Sequence, residues 1–285
     1  MTAEQQLPVE PVGRVLILLD GSRLSLAALE AAADIAHARK AKVLGVFVEE
    51  VNLLRCAGYG FTREVGRNSG VARPMDLAAI EARIRSLAEQ ARRSLERAMA
   101  QRGLAQALTL CRGRVADEVL NLARPGDLLV LGRVGWSGSP GSRLGSTARV
   151  LVSQALGDVL LWADPPMRSR NRIVVLLNHD QGANHRAVRV GAELARRNRQ
   201  PLTILVRTET GRDERIAEDL LAYMESEGIT ARVSFLPMAS AGAVARVIRE
   251  EGASQLVLSR QCSLFREQGA DTLLIEMNLP VTVTP

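Results

Sequence analysis

Two tandem α/β domains, each a five-stranded parallel sheet covered by helices, are the fold the sequence predicts. Three observations carry that reading. Short apolar runs alternate with segments of helical period, a pattern that places helices on both faces of a parallel sheet. The pattern then occurs a second time: NRIVVLLN (171–178) mirrors GRVLILLD (13–20), and MASAGAVARVIREEGASQLVLSR (238–260) aligns without a gap on CRGRVADEVLNLARPGDLLVLGR (111–133). Between the copies, ADPPMRSR (163–170) has the prolines of a linker. The expected boundaries are a first domain at 12–163, a linker at 164–170 and a second domain at 171–285. The 285 residues are enough for each unit to bury a core.

In chain order, RVLILL (14–19) is an apolar run of strand length, and Leu24, Ala28, Ala31 and Ile35 then recur on one helical face. AKVLGVFV (41–48) is the second strand. Residues 51–75 have no period and read either as a disordered insertion or as a lid. A long helix follows, its stripe formed by Leu77, Ile80, Ile84, Leu87, Ala91 and Leu95. The strand ALTLC, the helix VADEVLNLA, the strand DLLVLG, a Gly-rich loop, a helix from about Ser146 and the strand DVLLW complete the first copy. PVTVT in the second copy corresponds to DVLLW.

Composition narrows the function classes. With 47% hydrophobic and 24% charged residues the chain reads as an ordinary globular protein. No apolar run reaches the length of a membrane span. The opening MTAEQQLPVEPVG lacks the basic and apolar regions of a signal peptide. Cys56, Cys111 and Cys262 form no CxxC pair, which suits a reducing compartment. A cytoplasmic location is the expectation. The net charge of +6 invites a nucleic-acid reading, but the arginines interleave with glutamates, as at Glu81–Arg85 and Glu89–Arg93, and aromatics are 3% of residues. A salt-bridged helix face explains them better than a nucleic-acid surface. His37 suits a helix end, His179 and His185 lack partners at metal spacing, and Cys111 reads as a small buried hydrophobe.

The copies differ where chemistry would sit. From Asp20 to Gly132 is 112 positions, whereas the equivalent Asn178 to Ser259 is 81, the excess lying largely in 51–75. The second copy also lacks about five residues where the first has its loop, and QCSLFREQGAD stands there instead. In the first copy five glycines fall between Gly132 and Gly145, with Ser146 and Thr147 directly after. Open parallel sheets bind ligands at strand carboxyl ends, where the strand order reverses. A Gly-rich loop entering a helix there exposes N–H groups to a phosphate, the glycines permitting close approach and positive φ. Ser146 and Thr147 can add hydroxyls, and Arg133 and Arg143 charge. The segment is not a P-loop, because G-x4-G-K-S/T is absent, and GWSGS fails the GxSxG nucleophile elbow because Gly138 comes one position early.

Gly132, Gly135 and Gly145-Ser146 have the spacing G-x2-G-x9-G-S/T, between the fourth strand and the fourth helix. In this the chain resembles the nucleotide-binding universal stress proteins, which are Rossmann-like. LLLDGS with Asp20, VFVEE and Gly113 ahead of the third helix strengthen the resemblance, which covers both halves. The resemblance implies ATP, with or without Mg2+, in the N-terminal half. Asp20 would meet the ribose or adenine, the backbone near Phe47 the adenine edge, and Gly132, Gly135, Gly145, Ser146 and Thr147 the ribose and phosphates, with Arg133 beside them. Val134 and Trp136 depart from the basic or His residues frequent in the family. The second copy, with Asn178 for Asp20 and Ser259 for Gly132, is expected to bind no ATP.

The resemblance further implies a nucleotide-responsive stress regulator acting on an unknown protein partner, with at most slow hydrolysis. No lysine, second carboxylate or base stands ready for phosphoryl transfer. Two other readings stay open: a nucleotide-free scaffold, for example one docked on a transporter, and a flavoprotein subunit. The fifth strands of such domains commonly pair. DVLLW and PVTVT are therefore expected to join antiparallel as a pseudo-dimer within the chain, which could itself form a homodimer. For Asp20 there is also a local role, an Asx-turn with Gly21 and Ser22.

Overall fold

The computed structural model describes residues 13–66, 69–135, 144–163, 171–178, 181–208, 214–237, 240–267 and 269–285. The N-terminal half runs β1 (Val15–Leu19), α1 (Arg23–Arg39), β2 (Val43–Glu50), α2 (Val51–Ala57), β3 (Arg63–Val65), β4 (Ala72–Pro74), α3 (Leu77–Ala100), β5 (Gln106–Gly113), α4 (Val115–Leu122), β6 (Leu128–Gly132), α5 (Ser146–Gln154) and β7 (Asp158–Trp162). The C-terminal half runs β8 (Arg172–Asn178), α6 (Gln181–Asn198), β9 (Leu202–Thr208), α7 (Glu214–Ser226), β10 (Ala231–Pro237), α8 (Ala241–Glu250), β11 (Ala253–Ser259), α9 (Ser263–Arg266), α10 (Ala270–Glu276) and β12 (Val281–Thr284). The expected linker, 164–170, lies outside the described residues.

Ten strands form one sheet in the order β10-β9-β8-β11-β12-β7-β6-β1-β2-β5. Each half supplies five parallel strands, and the halves meet at an antiparallel pair, β7 with β12, in the register Leu161↔Val281, Leu160↔Thr282 and Val159↔Val283. The last strands therefore satisfy each other's edges, as expected from sequence.

Strand alternation explains the cores. Leu16, Leu18, Leu129, Leu131, Val159 and Leu161 point to one face and join Leu256, Leu258, Val281 and Val283 in a cluster that crosses the seam. Val15, Ile17 and Leu19 point the other way, into a core closed by α1 and α3. A third cluster lies under α6 and α7. Local signals set the ends: Ser22 Oγ accepts the Ser25 N–H to cap α1, and Asp76 accepts from Ala78 and Ala79 to cap α3. Asp127, 4% exposed, anchors the turn before β6 by accepting from the Arg14 and Arg124 backbone N–H groups and the Arg14 guanidinium.

Two arginines clasp the halves together. Arg133, just past β6, donates to the carbonyls of Leu274 and Met277 at the C-terminal end of α10. Arg260, at the equivalent place past β11, donates to the carbonyls of Val152 and Ala155 at the end of α5. Each guanidinium satisfies orphan carbonyls of the other half's last helix, where the dipole favours a cation.

Among its described residues the 51–75 segment is an ordered insertion and not a disordered one. It holds a seven-residue helix, α2, and a small antiparallel ribbon of β3 with β4. On α3, Glu89 pairs with Arg92 and Arg93, which hold its carboxyl down to about 2. Glu89–Arg93 thus pairs as its spacing suggested, whereas Glu81 and Arg85 form no ion pair among the described residues.

Candidate functional site

The sheet order reverses at β1, which has β2 on one side and β6 on the other. The carboxyl ends of β1, β2 and β6 consequently splay around a crevice. A cleft of about 390 Å3 opens there.

Asp20 lines it from the end of β1. Its Oδ1 accepts the Ser22 N–H at 2.9 Å across Gly21, whose φ is +76°. That is the Asx-turn anticipated for it, and it leaves the carboxylate at the cleft wall. Phe47 lines the cleft from β2, 4% exposed overall. Gly132 ends β6 so close to α1 that a Cβ would stand 3.0 Å from Leu24 Cβ and 3.2 Å from Ser25 N. A Cβ on Gly135 would lie 2.8 Å from Asp20 Oδ2. Gly145 is different: among the described residues a Cβ there would meet nothing closer than Arg133 O at 3.5 Å, an ordinary contact. Among the described residues there is room for a Cβ at Gly145, so packing does not require glycine there.

None of these three glycines has a positive φ. At these three positions the positive-φ part of the sequence argument does not apply, and Gly138 and Gly141 lie outside the described residues. Trp136 and Arg143 lie outside the described residues.

The loop closes on itself through Gly145 N–H to Arg133 O at 2.8 Å, and Arg133 N–H is held by Trp162 O at 3.0 Å. Ser146 and Thr147 then begin α5, which has no side-chain cap. Their N–H groups sit at the positive end of a nine-residue helix facing the cleft, a setting that suits an anion. Arg133 belongs to the lining, but its guanidinium is spent on Leu274 and Met277. It is a clasp between halves, not the phosphate-facing charge expected from sequence.

The eight residues that the family resemblance assigned to the nucleotide thus border one cleft. Sequence reasoning missed others. Glu50 lines it too, a second carboxylate, with its oxygens accepting from Asn52 N–H at 3.1 Å and Val115 N–H at 3.3 Å. VFVEE already contained that signal. Ile84 and Leu87, read as core stripe, and Leu53 of α2 supply apolar wall. Gly113 is absent from that lining, and a Cβ on it would collide with Glu118 Oε1 at 2.2 Å.

The second half fills the equivalent ground with side chains. By register Arg207 on β9 holds the place that Val48, a cleft residue, holds on β2. Its guanidinium forks onto Glu267 at 2.8 Å twice, bonds Ser263 at the start of α9, and holds the Glu267 carboxyl below the usual range. α9 therefore stands over the strand ends where the first half has its loop.

A family model described as the universal stress protein family matches residues 11–162. No curated protein matches the chain. A universal stress protein from Archaeoglobus fulgidus is similar in structure, with a TM-score of 0.70 and 14% identity over 96% of each chain. A candidate universal stress protein from Pseudomonas aeruginosa is similar with a TM-score of 0.57 and 13% identity, over 96% of this chain and 93% of that one. At such identities the likeness extends to the fold of both halves.

Proposed function

The chain belongs to the universal stress protein family, and we propose that it binds one adenine nucleotide, ATP, in its N-terminal half and acts as a nucleotide-responsive stress factor. One observation carries the reading: the glycines, the uncapped start of α5 and Asp20 all face one cleft of about 390 Å3 at the switch point of the sheet. That volume falls within the roughly 300–1,000 Å3 typical of small-ligand sites. Phe47, Leu53 and Ile84 give the apolar wall a base needs, and the α5 end gives phosphates their N–H donors. Mg2+ is held by one or two carboxylates together with phosphates. Asp20 fits that demand, so a Mg2+–nucleotide complex is compatible with the cleft.

We read the site as one for binding and release. Arg133 donates to the carbonyls of Leu274 and Met277, and the described lining residues include no lysine, so the cations that phosphoryl transfer uses are missing among them. The test is mass spectrometry of the small molecules released from denatured, purified protein. Adenine nucleotide supports the reading. Flavin, or a protein that stays empty and indifferent to added ATP, defeats it.

One observation favours the scaffold reading as a second property. Tyr59 and Phe61 stack at 5.4 Å between ring centroids, and Phe61 is 82% exposed. Bare aromatic pairs of this kind suit a protein partner, for which cleavage or cross-linking at this segment in cell extracts would be the assay.

A further inference from the structure

α1 and α6 lie on the same side of the sheet, one from each half. They are joined by Arg39, which forks onto Glu193 at 2.8 Å through both nitrogens. A cavity of about 220 Å3 opens between them and shares no residue with the nucleotide cleft. Its apolar walls include Leu160, Val190 and Leu194, the last two on one face of α6 with Arg197.

The charged groups around it are mostly spoken for. Asp34 accepts from Arg102 at 2.9 Å, and Asp158 from Arg186 at 2.7 and 3.0 Å. Arg197 is the exception: among the described residues no hydrogen bond or ion pair engages its guanidinium, although it lines the cavity. Its charge is poorly solvated, since burial pulls its pKa below the ordinary arginine value more than Glu193 restores it. Trp162 lines the same cavity, and its indole N–H is buried with no acceptor among the described residues. An indole N–H and a guanidinium can only donate. A buried donor left unmet costs free energy that an arriving acceptor recovers.

We propose that this cavity is a second ligand site, taking a small carboxylate with a short apolar body. A carboxylate offers the Arg197 fork two acceptor oxygens that match its geometry. The leucine and valine walls favour an apolar body over a bare inorganic anion. The volume, below that of drug-sized pockets, limits the body to a few carbons.

The chain has two tryptophans, so a Trp136→Phe protein reports on Trp162 alone by fluorescence. Titration of that full-length protein with hexanoate is expected to give a saturable change. Hexanol and inorganic phosphate should bind at least tenfold more weakly. Arg197→Gln should weaken hexanoate at least tenfold. Ala31→Leu, which adds bulk to the α1 wall while leaving the arginine, should do the same without altering the circular dichroism spectrum. ATP binding should be untouched by both. The proposal is overturned if hexanoate gives no saturable change, if phosphate binds as tightly, or if either variant binds hexanoate like its parent.

Discussion

Asp20 shows how one side chain can hold a turn and line a cleft at once. Its Oδ1 holds the turn through Ser22 N–H, a bond an amide oxygen could equally accept, and Asn178 stands at the matching place in the second half. Asp20→Asn should therefore keep the fold and weaken ATP by about 1–2 kcal/mol for the lost charge on a hydrogen bond. Calorimetry showing unchanged affinity would reduce Asp20 to its turn. Gly145→Val uses the room the protein leaves at that position, where a Cβ makes only ordinary contacts. The variant should unfold at close to the parent temperature and lose at least tenfold in ATP affinity, roughly 1.4 kcal/mol. Equal affinity would mean that the loop is not where phosphate sits. Ser146→Ala should cost less, about 0.5–1.5 kcal/mol for one hydrogen bond.

At the scale of elements, the strands and long helices were legible because each shows its period within a few residues. β1, β2, β6 and α3 needed nothing else. The α2 helix was not legible, because seven residues of VNLLRCA are too few to show a helical stripe, nor was the β3–β4 ribbon, whose three-residue strands are exposed at every position and show no alternation. The candidate site was legible through glycine spacing. Its apolar wall was not, since Ile84 and Leu87 fit a core stripe and a cleft wall equally well. Arginine clasps are invisible in sequence for another reason: Arg133 finds its carbonyls in the other half of the chain, and no local pattern encodes that. Arg260→Ala strips the buried carbonyls of Val152 and Ala155 of a charged donor. It should cost about 1–3 kcal/mol of stability, seen as a lower urea midpoint with an unchanged slope. A midpoint equal to the parent's would show that the clasp contributes nothing net. Gly132→Ala should also destabilise, by about 1–3 kcal/mol, because its Cβ presses on α1.

For the whole molecule, the seam between β7 and β12 makes two domains into one continuous ten-stranded sheet with a core that crosses it. In a background without native cysteines, a Val159/Val283 or Leu161/Val281 cysteine pair should close within one chain, since these residues are direct partners. Leu161 with Val283 should not, being displaced by two residues, about 7 Å along the strand. Crosslinks appearing only between chains would instead mean that the edge strands are exchanged in a dimer. The repeat in the sequence made this symmetry readable, while the proposed asymmetry of function rests on small differences: a glycine loop in one half, and Arg207 forked onto Glu267 in the other. That asymmetry is the central claim, and calorimetric titration of the intact protein with ATP tests it most directly. The account predicts saturation at one nucleotide per chain, lost in Gly145→Val; two per chain, or no binding at saturating ATP, would contradict it.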